Sequence, residues 1–267
     1  MTGTNSPTIQ QLFDLSGRAA LITGARGYLG RALADALAEA GARVIVSSRN
    51  VEHARTVAAA LGGQEAGRHL AVCLDYMDES SIEQGFENAV TQAGQIDVLV
   101  NNGHDAVGAD WTTVTGEQFQ RQLANLTGYF LLARRLRDHA VAQKRPASII
   151  LLGSMYGVVG SYPDAYAGIC AASPAAYHAL KGGIVHLTRH LAVYWAKDSV
   201  RVNCLSPGPF PSAQAPAGLA ERLNTKSPMG RMGLPHELKG AIVFLASDAS
   251  SYMTGQNLII DGGWTAW

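Results

Sequence analysis

Tyr177 and Lys181 stand four apart in the run Ala-Ala-Tyr-His-Ala-Leu-Lys, which is helical in character, so both side chains project from one face. An ammonium beside a phenol favours the phenolate and lowers the tyrosine pKa from its usual value of about 10. A phenol tuned in that way can give a proton to a carbonyl oxygen, or take one from an alcohol, near neutral pH. Taken alone the pair is commonplace on helix surfaces, and it gains meaning only from its company.

Part of that company is Thr23-Gly24-Ala25-Arg26-Gly27-Tyr28-Leu29-Gly30, which follows a short apolar run and opens a helical stripe. Glycines there permit a tight turn and close backbone approach, and the helix N-terminus then faces a pyrophosphate. Glycine also serves plain turns, but the place of this string after the first strand favours dinucleotide binding. The second strand ends Ser47-Ser48-Arg49-Asn50, without the acidic residue that would hold the ribose hydroxyls of NAD. Arg49 offers a fork of donors suited to a phosphate, so the expected cofactor is NADP(H), with Ser48 beside it. The competing reading makes Arg49 the start of a solvated helix. Asp75, followed by Tyr76 at the end of the third strand, is suited either to an adenine amino group or to capping the strand end.

The elements that must position these groups are legible as short apolar runs alternating with helical stretches. Ala19–Thr23, Val44–Ser47, Leu70–Leu74, Val98–Asn101, Ser148–Leu152, Arg201–Leu205 and Leu258–Ile260 read as strands buried on both faces. Leu29, Ala32, Leu33, Ala36, Leu37 and Ala40 form one helical stripe, closed by Gly41 as a C-cap. Ile184, Leu187, Leu191 and Trp195 form another. Repeated β-α alternation predicts an α/β fold of about seven parallel strands, with helices on both faces joined by right-handed crossovers. No linker or repeat divides residues 1–267, so a single dinucleotide-binding and catalytic domain is expected, with 1–15 as an N-terminal extension.

Two stretches break the rhythm. Residues 155–173 carry three Tyr, three Gly and a Pro, and residues 207–235 contain six prolines that must interrupt regular structure. Loops this long are usually lids or binding loops, although plain surface excursions remain the alternative.

Composition removes other classes. The 267 residues carry 21 Lys+Arg against 21 Asp+Glu, which leaves no electrostatic footprint for nucleic acid or an anionic membrane. A 47% hydrophobic content excludes intrinsic disorder. The N-terminal segment is polar and no run is long and apolar enough to span a bilayer, so a cytoplasmic location is expected. Three scattered cysteines suit a reducing compartment; Cys73 and Cys204 read as small strand residues of the core. No metal is expected: His186 and His190 lack a third ligand, and read as a helix-surface pair. His178 points off the Tyr177 face and receives no role.

The whole series resembles the short-chain dehydrogenase/reductase family. The motifs are the strand with its glycine turn, Asn101-Asn102-Gly103 after the fourth strand, Asn125, Ser154 after the fifth, and Tyr177-x-x-x-Lys181. Pro207-Gly208 follows the sixth strand and Asp261-Gly262-Gly263 closes the chain. They occur in the family's order from about Leu15 to the C-terminus. The resemblance implies a doubly wound Rossmann fold of the short single-domain branch and hydride transfer between a nicotinamide and a carbonyl or secondary alcohol. It makes Tyr177 the general acid/base, Lys181 its pKa-lowering partner at the nicotinamide ribose, Ser154 the group that orients the substrate oxygen, and Asn125 the holder of a relay water. It places Asn102 and Gly103 along the adenosine half, and Pro207, Gly208 and Ser212 near the nicotinamide. It also implies a homotetramer or homodimer, with Trp264 and Trp267 suited to an interface or to a partly buried terminus.

Three departures stand out. The family's T-G-x-x-x-G-x-G has Gly where Tyr28 stands, so the backbone there is expected to sit differently around a pyrophosphate. His104 replaces a glycine beside the cofactor. Ser154 precedes Tyr177 by 23 residues, more than is usual, which leaves Ser161 and Ser173 as rivals; Ser173, before Pro174, reads better as a helix cap. With Ser154 as the functional serine, residues 155–173 become an active-site insertion that offers Tyr156, Tyr162, Asp164, Tyr166 and Cys170 as substrate contacts, or as packing.

The Phe13–Arg18 segment resembles gluconate-type dehydrogenases, and Gly153–Val159 resembles oxidoreductases of bacterial surface-sugar (legionaminic acid-type) synthesis. Both point to a sugar, sugar acid or polyol-like substrate. Two other readings remain at this level. A catalytically silent nucleotide sensor or scaffold would not need the proton relay, and an epimerase or dehydratase would give product without a net change in cofactor absorbance.

Overall fold

Runs rich in Val, Ile and Leu bury both faces of a strand, and seven of them pair here in one parallel sheet. The strands are β1 (Ala19–Thr23), β2 (Arg43–Ser48), β3 (Leu70–Cys73), β4 (Val98–Asn101), β5 (Ala147–Leu152), β6 (Val200–Pro207) and β7 (Asn257–Ile260). Their spatial order is β3-β2-β1-β4-β5-β6-β7. This computed structural model describes residues 6–169, 174–216 and 218–267. The order reverses between β1 and β4, and crevices outside the carboxyl ends of strands at such a reversal are where ligands bind in open α/β sheets.

The helices are α1 (Ile9–Phe13), α2 (Tyr28–Glu39), α3 (Val51–Ala59), α4 (Glu79–Ala93), α5 (Gly116–Gln143), α6 (Pro163–Tyr166), α7 (Ala175–Trp195), α8 (Leu219–Asn224) and α9 (Lys239–Ala246). Local chemistry starts several of them. Asn50 and Asp78 accept bonds from backbone amides in the first turns of α3 and α4, and Thr115 with Gln118 forms a capping box on α5. Gly41, just past α2, has φ +99°, and a Cβ there would come within 2.6 Å of Ser16 Oγ.

Two cores sandwich the sheet. Ile82, Phe86, Leu132, Leu136, Ile184 and Leu191, from α4, α5 and α7, cover one face. Leu33, Leu37, Ala54, Val57, Ile242 and Leu245, from α2, α3 and α9, cover the other. Four expectations need correction or fall outside the description. Cys73 is exposed because β3 is an edge strand, and its thiol donates to the Arg49 carbonyl at 3.3 Å; Cys204 is buried. Trp264 is only 2% exposed and packs within its own chain, so it offers no interface anchor; Trp267 is exposed. Cys170 and Ser173 lie outside the described residues.

Candidate active site

The carboxyl edge of the sheet gathers the singled-out residues from distant parts of the chain. At the end of β1, the Thr23 hydroxyl accepts from the amides of Asn102 (3.0 Å) and Gly103 (2.8 Å), locking the β1 and β4 ends together. The Asn102 side-chain amide donates to the carbonyls of Thr23 (3.2 Å) and Gly24 (3.0 Å). Gly24 has φ +69°, and a Cβ on Gly30 would fall 2.1 Å from the Gly24 carbonyl oxygen. The turn is therefore built against backbone, with no room for side chains at those two positions. Tyr28 is different: it starts α2 behind Gly27, and its side chain is 45% exposed, so the residue departs from the family pattern without straining the turn. Leu29 packs on the α2 core.

A cleft opens above this turn, lined by Thr23, Gly24, Arg26, Ser48, Arg49, His53, Asp75, Tyr76 and Gly103. Arg26 Nη1 lies 3.3 Å from His53 Nδ1, and both Arg26 and Arg49 are exposed toward the rim. Sequence reasoning missed His53. Its position four residues after Arg49, on the helix that follows β2, was the available signal. One Asp75 oxygen accepts from the Met77 amide at 2.9 Å and so closes a turn, while the residue also borders the cleft. The Tyr76 ring packs where a Gly103 Cβ would stand, 2.5 Å away, and its hydroxyl donates to Asn125 Oδ1 at 3.0 Å.

Asn125 is buried on α5 and spends its whole side chain on protein partners. Its oxygen accepts from Tyr76 and from the Asp105 amide (2.8 Å), and its nitrogen donates to the carbonyls of Asp105 (3.0 Å) and Gln122 (2.9 Å). That uses two donors and two acceptors, the full capacity of an amide. This side chain ties the segment after β4 to α5.

Ser154 follows β5, caps a short 3-10 turn over Met155–Gly157, and is buried. Its hydroxyl accepts from the Tyr156 amide at 3.2 Å and borders the same cleft as the Tyr177 phenol. Ser161 lies in the loop before α6 and does not border the cleft that Ser154 and Tyr177 share. Lys181 is buried one turn along α7 from Tyr177. Its Nζ donates to the Leu152 carbonyl at 2.7 Å and sits 5.5 Å from the Tyr177 ring centre. Burial holds the lysine pKa down to about 8. Burial also pushes the Tyr177 phenol up, with the Ser154 hydroxyl opposing it. The direction is thus opposite to the expected depression of the tyrosine, because burial outweighs the lowering influence.

A second cleft adjoins the first. It is lined by His104, Val107, Ser154, Met155, Tyr156, Tyr166, Tyr177, Gly208, Pro209, Phe210, Leu219 and Leu223, among others. His104 borders both clefts, and its ring centre is 5.4 Å from that of Tyr177. Gln122 Oε1 accepts from the Val107 amide at 2.7 Å, so the amide nitrogen must be the atom 2.6 Å from His104 Nε2. The imidazole accepts there and carries its proton on Nδ1. Although His104 is open to solvent on one side, desolvation of its ring, helped by the Lys181 charge, pushes its pKa down to about 4.

The segment between Ser154 and Tyr177 splits in two. Tyr156 and Tyr166 face the cleft with hydroxyls 2.5 Å apart, and burial pushes the Tyr156 phenol upward. His178, beside Tyr177, stacks on Tyr156 with ring centres 4.7 Å apart. Tyr162 instead packs on Trp264 and under Lys226, and Asp164 pairs with Lys226 at 2.7 Å, so these two leave the cleft. Pro207 ends β6, paired with Ile260, and Gly208 borders the cleft where a Cβ would strike Asp261. Ser212 accepts from the Gln214 amide at 3.3 Å, while its neighbours Pro211 and Ala215 face the cleft. Among the described residues no group of three or more His, Cys, Asp or Glu is placed to hold a metal ion.

Comparison with known proteins agrees with this architecture. A family model described as enoyl-(acyl carrier protein) reductase matches residues 24–265. D-threitol dehydrogenase of Mycolicibacterium smegmatis is 33% identical over 272 residues, covering 99% of each chain. A short-chain type dehydrogenase/reductase from Mycobacterium marinum superposes with a TM-score of 0.86 at 35% identity, covering 98% of this chain and 100% of the other. A gluconate 5-dehydrogenase from Burkholderia cenocepacia, solved with NADP and tartrate, gives 0.85 at 30% identity, covering 97% and 99%. With that span of similarity and the seven-stranded parallel sheet, the chain belongs to the short-chain dehydrogenase/reductase family of oxidoreductases.

Proposed function

We propose that this protein is an NADP(H)-dependent reductase or dehydrogenase that interconverts a carbonyl and a secondary alcohol on a sugar- or polyol-like substrate. The observation that carries the reading is the Tyr177 phenol, sharing the second cleft with Ser154, backed by the Lys181 ammonium, and 5.4 Å by ring centres from His104, which borders both clefts. The first cleft fits a dinucleotide: Gly24 and Gly30 leave bare backbone for a pyrophosphate, and Arg26, Ser48 and Arg49 offer donors for a ribose phosphate. The Burkholderia cenocepacia relative bound to NADP supports that choice. Thr23, Gly27, Tyr28, Leu29, Asp75, Tyr76, Asn102 and Gly103 complete or support this half.

When bound, the nicotinamide supplies or accepts the hydride. In reduction the Tyr177 hydroxyl gives its proton to the substrate oxygen, and Ser154 donates a second hydrogen bond that holds this oxygen. In oxidation Tyr177 takes the proton back. The buried Lys181 charge stabilises the resulting phenolate from beneath the ring. In this reading residues 155–173 are the insertion that walls the substrate, and 207–235 form the loop across it, with Pro207 and Gly208 at the nicotinamide end. The exposed Val193 and Tyr194 on α7 suit a homotetramer or homodimer, and the free thiols of Cys73 and Cys204 suit a cytoplasmic location.

The decisive variant is Tyr177→Phe, which keeps the ring and removes the acid. NADPH oxidation over a ketone, aldehyde and sugar panel is expected to fall by about 1,000-fold or more, with cofactor binding retained. Unchanged rates would overturn the assignment.

A further inference from the structure

The second cleft contains an uneven distribution of chemistry. One wall carries hydroxyls and an imidazole: Ser154, Tyr156, Tyr166, Tyr177 and His104. The opposite wall is apolar, built from Met155, Pro209, Phe210, Leu219 and Leu223. No Asp, Glu, Lys or Arg is among the described residues that line it. Nor does the sequence place a charged side chain at 170–173 or 217, which adjoin it in the chain.

The surrounding cations are engaged elsewhere. Lys226 pairs with Asp164 on the far side of α6, and Arg222 donates to the carbonyl oxygens of Asp164 and Ala167. Arg231 pairs with Glu237. Lys181 lies beneath the Tyr177 ring and donates to Leu152. His104 is the one group at the cleft that titrates toward a cation, and its neutral form, set by the Gln122 contact, offers an N–H donor rather than a charge. Of the two paired phenols, one spends its proton on the other.

We propose that this cleft selects an uncharged carbonyl or alcohol, with hydroxyl groups toward the Tyr156–Tyr166 wall and carbon toward the Phe210–Leu223 wall, and rejects carboxylate-bearing analogues such as sugar acids. The inference rests on the oxidoreductase reading above. A carboxylate brought into the cleft would give up hydration without meeting a cation, whereas hydroxyls and a carbonyl find donors and acceptors of their own kind. This places the protein with relatives of the D-threitol kind rather than the gluconate kind.

The test compares matched substrates in NADPH-dependent reduction. One pair is L-sorbose and 5-keto-D-gluconate, which carries a carboxylate where sorbose has a terminal hydroxymethyl group. The other is cyclohexanone and 4-oxocyclohexanecarboxylate. The neutral member is expected to lead by about 100-fold in kcat/KM. Ala215→Arg, which sets a guanidinium at the cleft rim, is expected to narrow that ratio by about tenfold. Equal or better use of the carboxylates by the wild-type protein overturns the proposal. Calorimetric binding of the same four compounds to the NADPH-loaded protein separates this from failure of the enzyme reading. Preferential binding of neutral compounds without turnover keeps the cleft proposal and removes the reductase assignment. Equal or tighter binding of the carboxylates, or binding of none at millimolar concentration, overturns it.

Discussion

Lys181 holds its ammonium 2.7 Å from the Leu152 carbonyl and 5.5 Å from the centre of the Tyr177 ring, fully enclosed by protein. The lysine is therefore fixed by the end of β5 rather than by the tyrosine, and it meets the phenol through the ring face. Burial costs it protonation, which its place beside a phenolate would repay.

That cost sets a pH-dependent stability. The lysine titrates at about 8 in the folded chain and near 10.5 when exposed, so between those values the unfolded chain holds more protons. Stability from this group therefore rises as pH climbs from about 8 to 10.5. The difference between the two values corresponds to about 3 kcal/mol. In urea melts the gap between wild type and Lys181→Met is expected to shift in favour of the wild type across that window; a gap independent of pH would refute the buried charge.

The two serines separate cleanly. Ser154→Ala removes the hydroxyl that shares the cleft with Tyr177 and is expected to lower kcat by about 100-fold with little change in NADPH binding. Ser161→Ala, away from the cleft, should leave kcat within about twofold. Comparable losses in both variants would mean the serine had been misassigned.

At the cofactor rim, Arg26→Ala and Arg49→Ala each take away donors suited to a phosphate. Each is expected to raise KM for NADPH by about tenfold while leaving NADH kinetics nearly unchanged. A fall in the use of both cofactors alike would argue that these arginines are structural.

Tyr166→Phe breaks the 2.5 Å contact with Tyr156 without opening a cavity. Substrate KM is expected to rise by about five- to tenfold with kcat changed less than threefold, because the pair orients rather than reacts. Steady-state kinetics on a neutral ketone checks this; a dominant kcat effect would give Tyr166 a direct part in proton transfer.

Most of the fold was legible because burial on both faces leaves an uninterrupted apolar run, and all seven strands fall within a few residues of those runs. β3 shows where that logic fails. An edge strand has one neighbour, so Cys73 faces out although its sequence context reads as core. At the site, Tyr177, Lys181 and Ser154 were readable from type and order. His53 had only its spacing from Arg49 to mark it, since its contact with Arg26 depends on how α3 is placed. The saturation of Asn125 was equally hidden, being a matter of four bonds to three residues, Tyr76, Asp105 and Gln122. Nor could sequence divide Tyr156 and Tyr166 from Tyr162 and Asp164, because the short helix α6 turns Tyr166 toward Tyr156 and Asp164 toward Lys226.

The strand order carries a consequence for how this protein comes into being. Gly24, Gly103, Ser154 and Gly208 follow β1, β4, β5 and β6, which lie side by side in space but are scattered over most of the chain. Every residue lining the first cleft lies between Thr23 and Asp105, whereas the second cleft draws on Ser154, Tyr177, Gly208 and Leu223, so a nascent chain emerging from the ribosome makes the first wall long before the second. The groups that do chemistry are thus the last to join, and a half-built chain has the cradle before it has the acid.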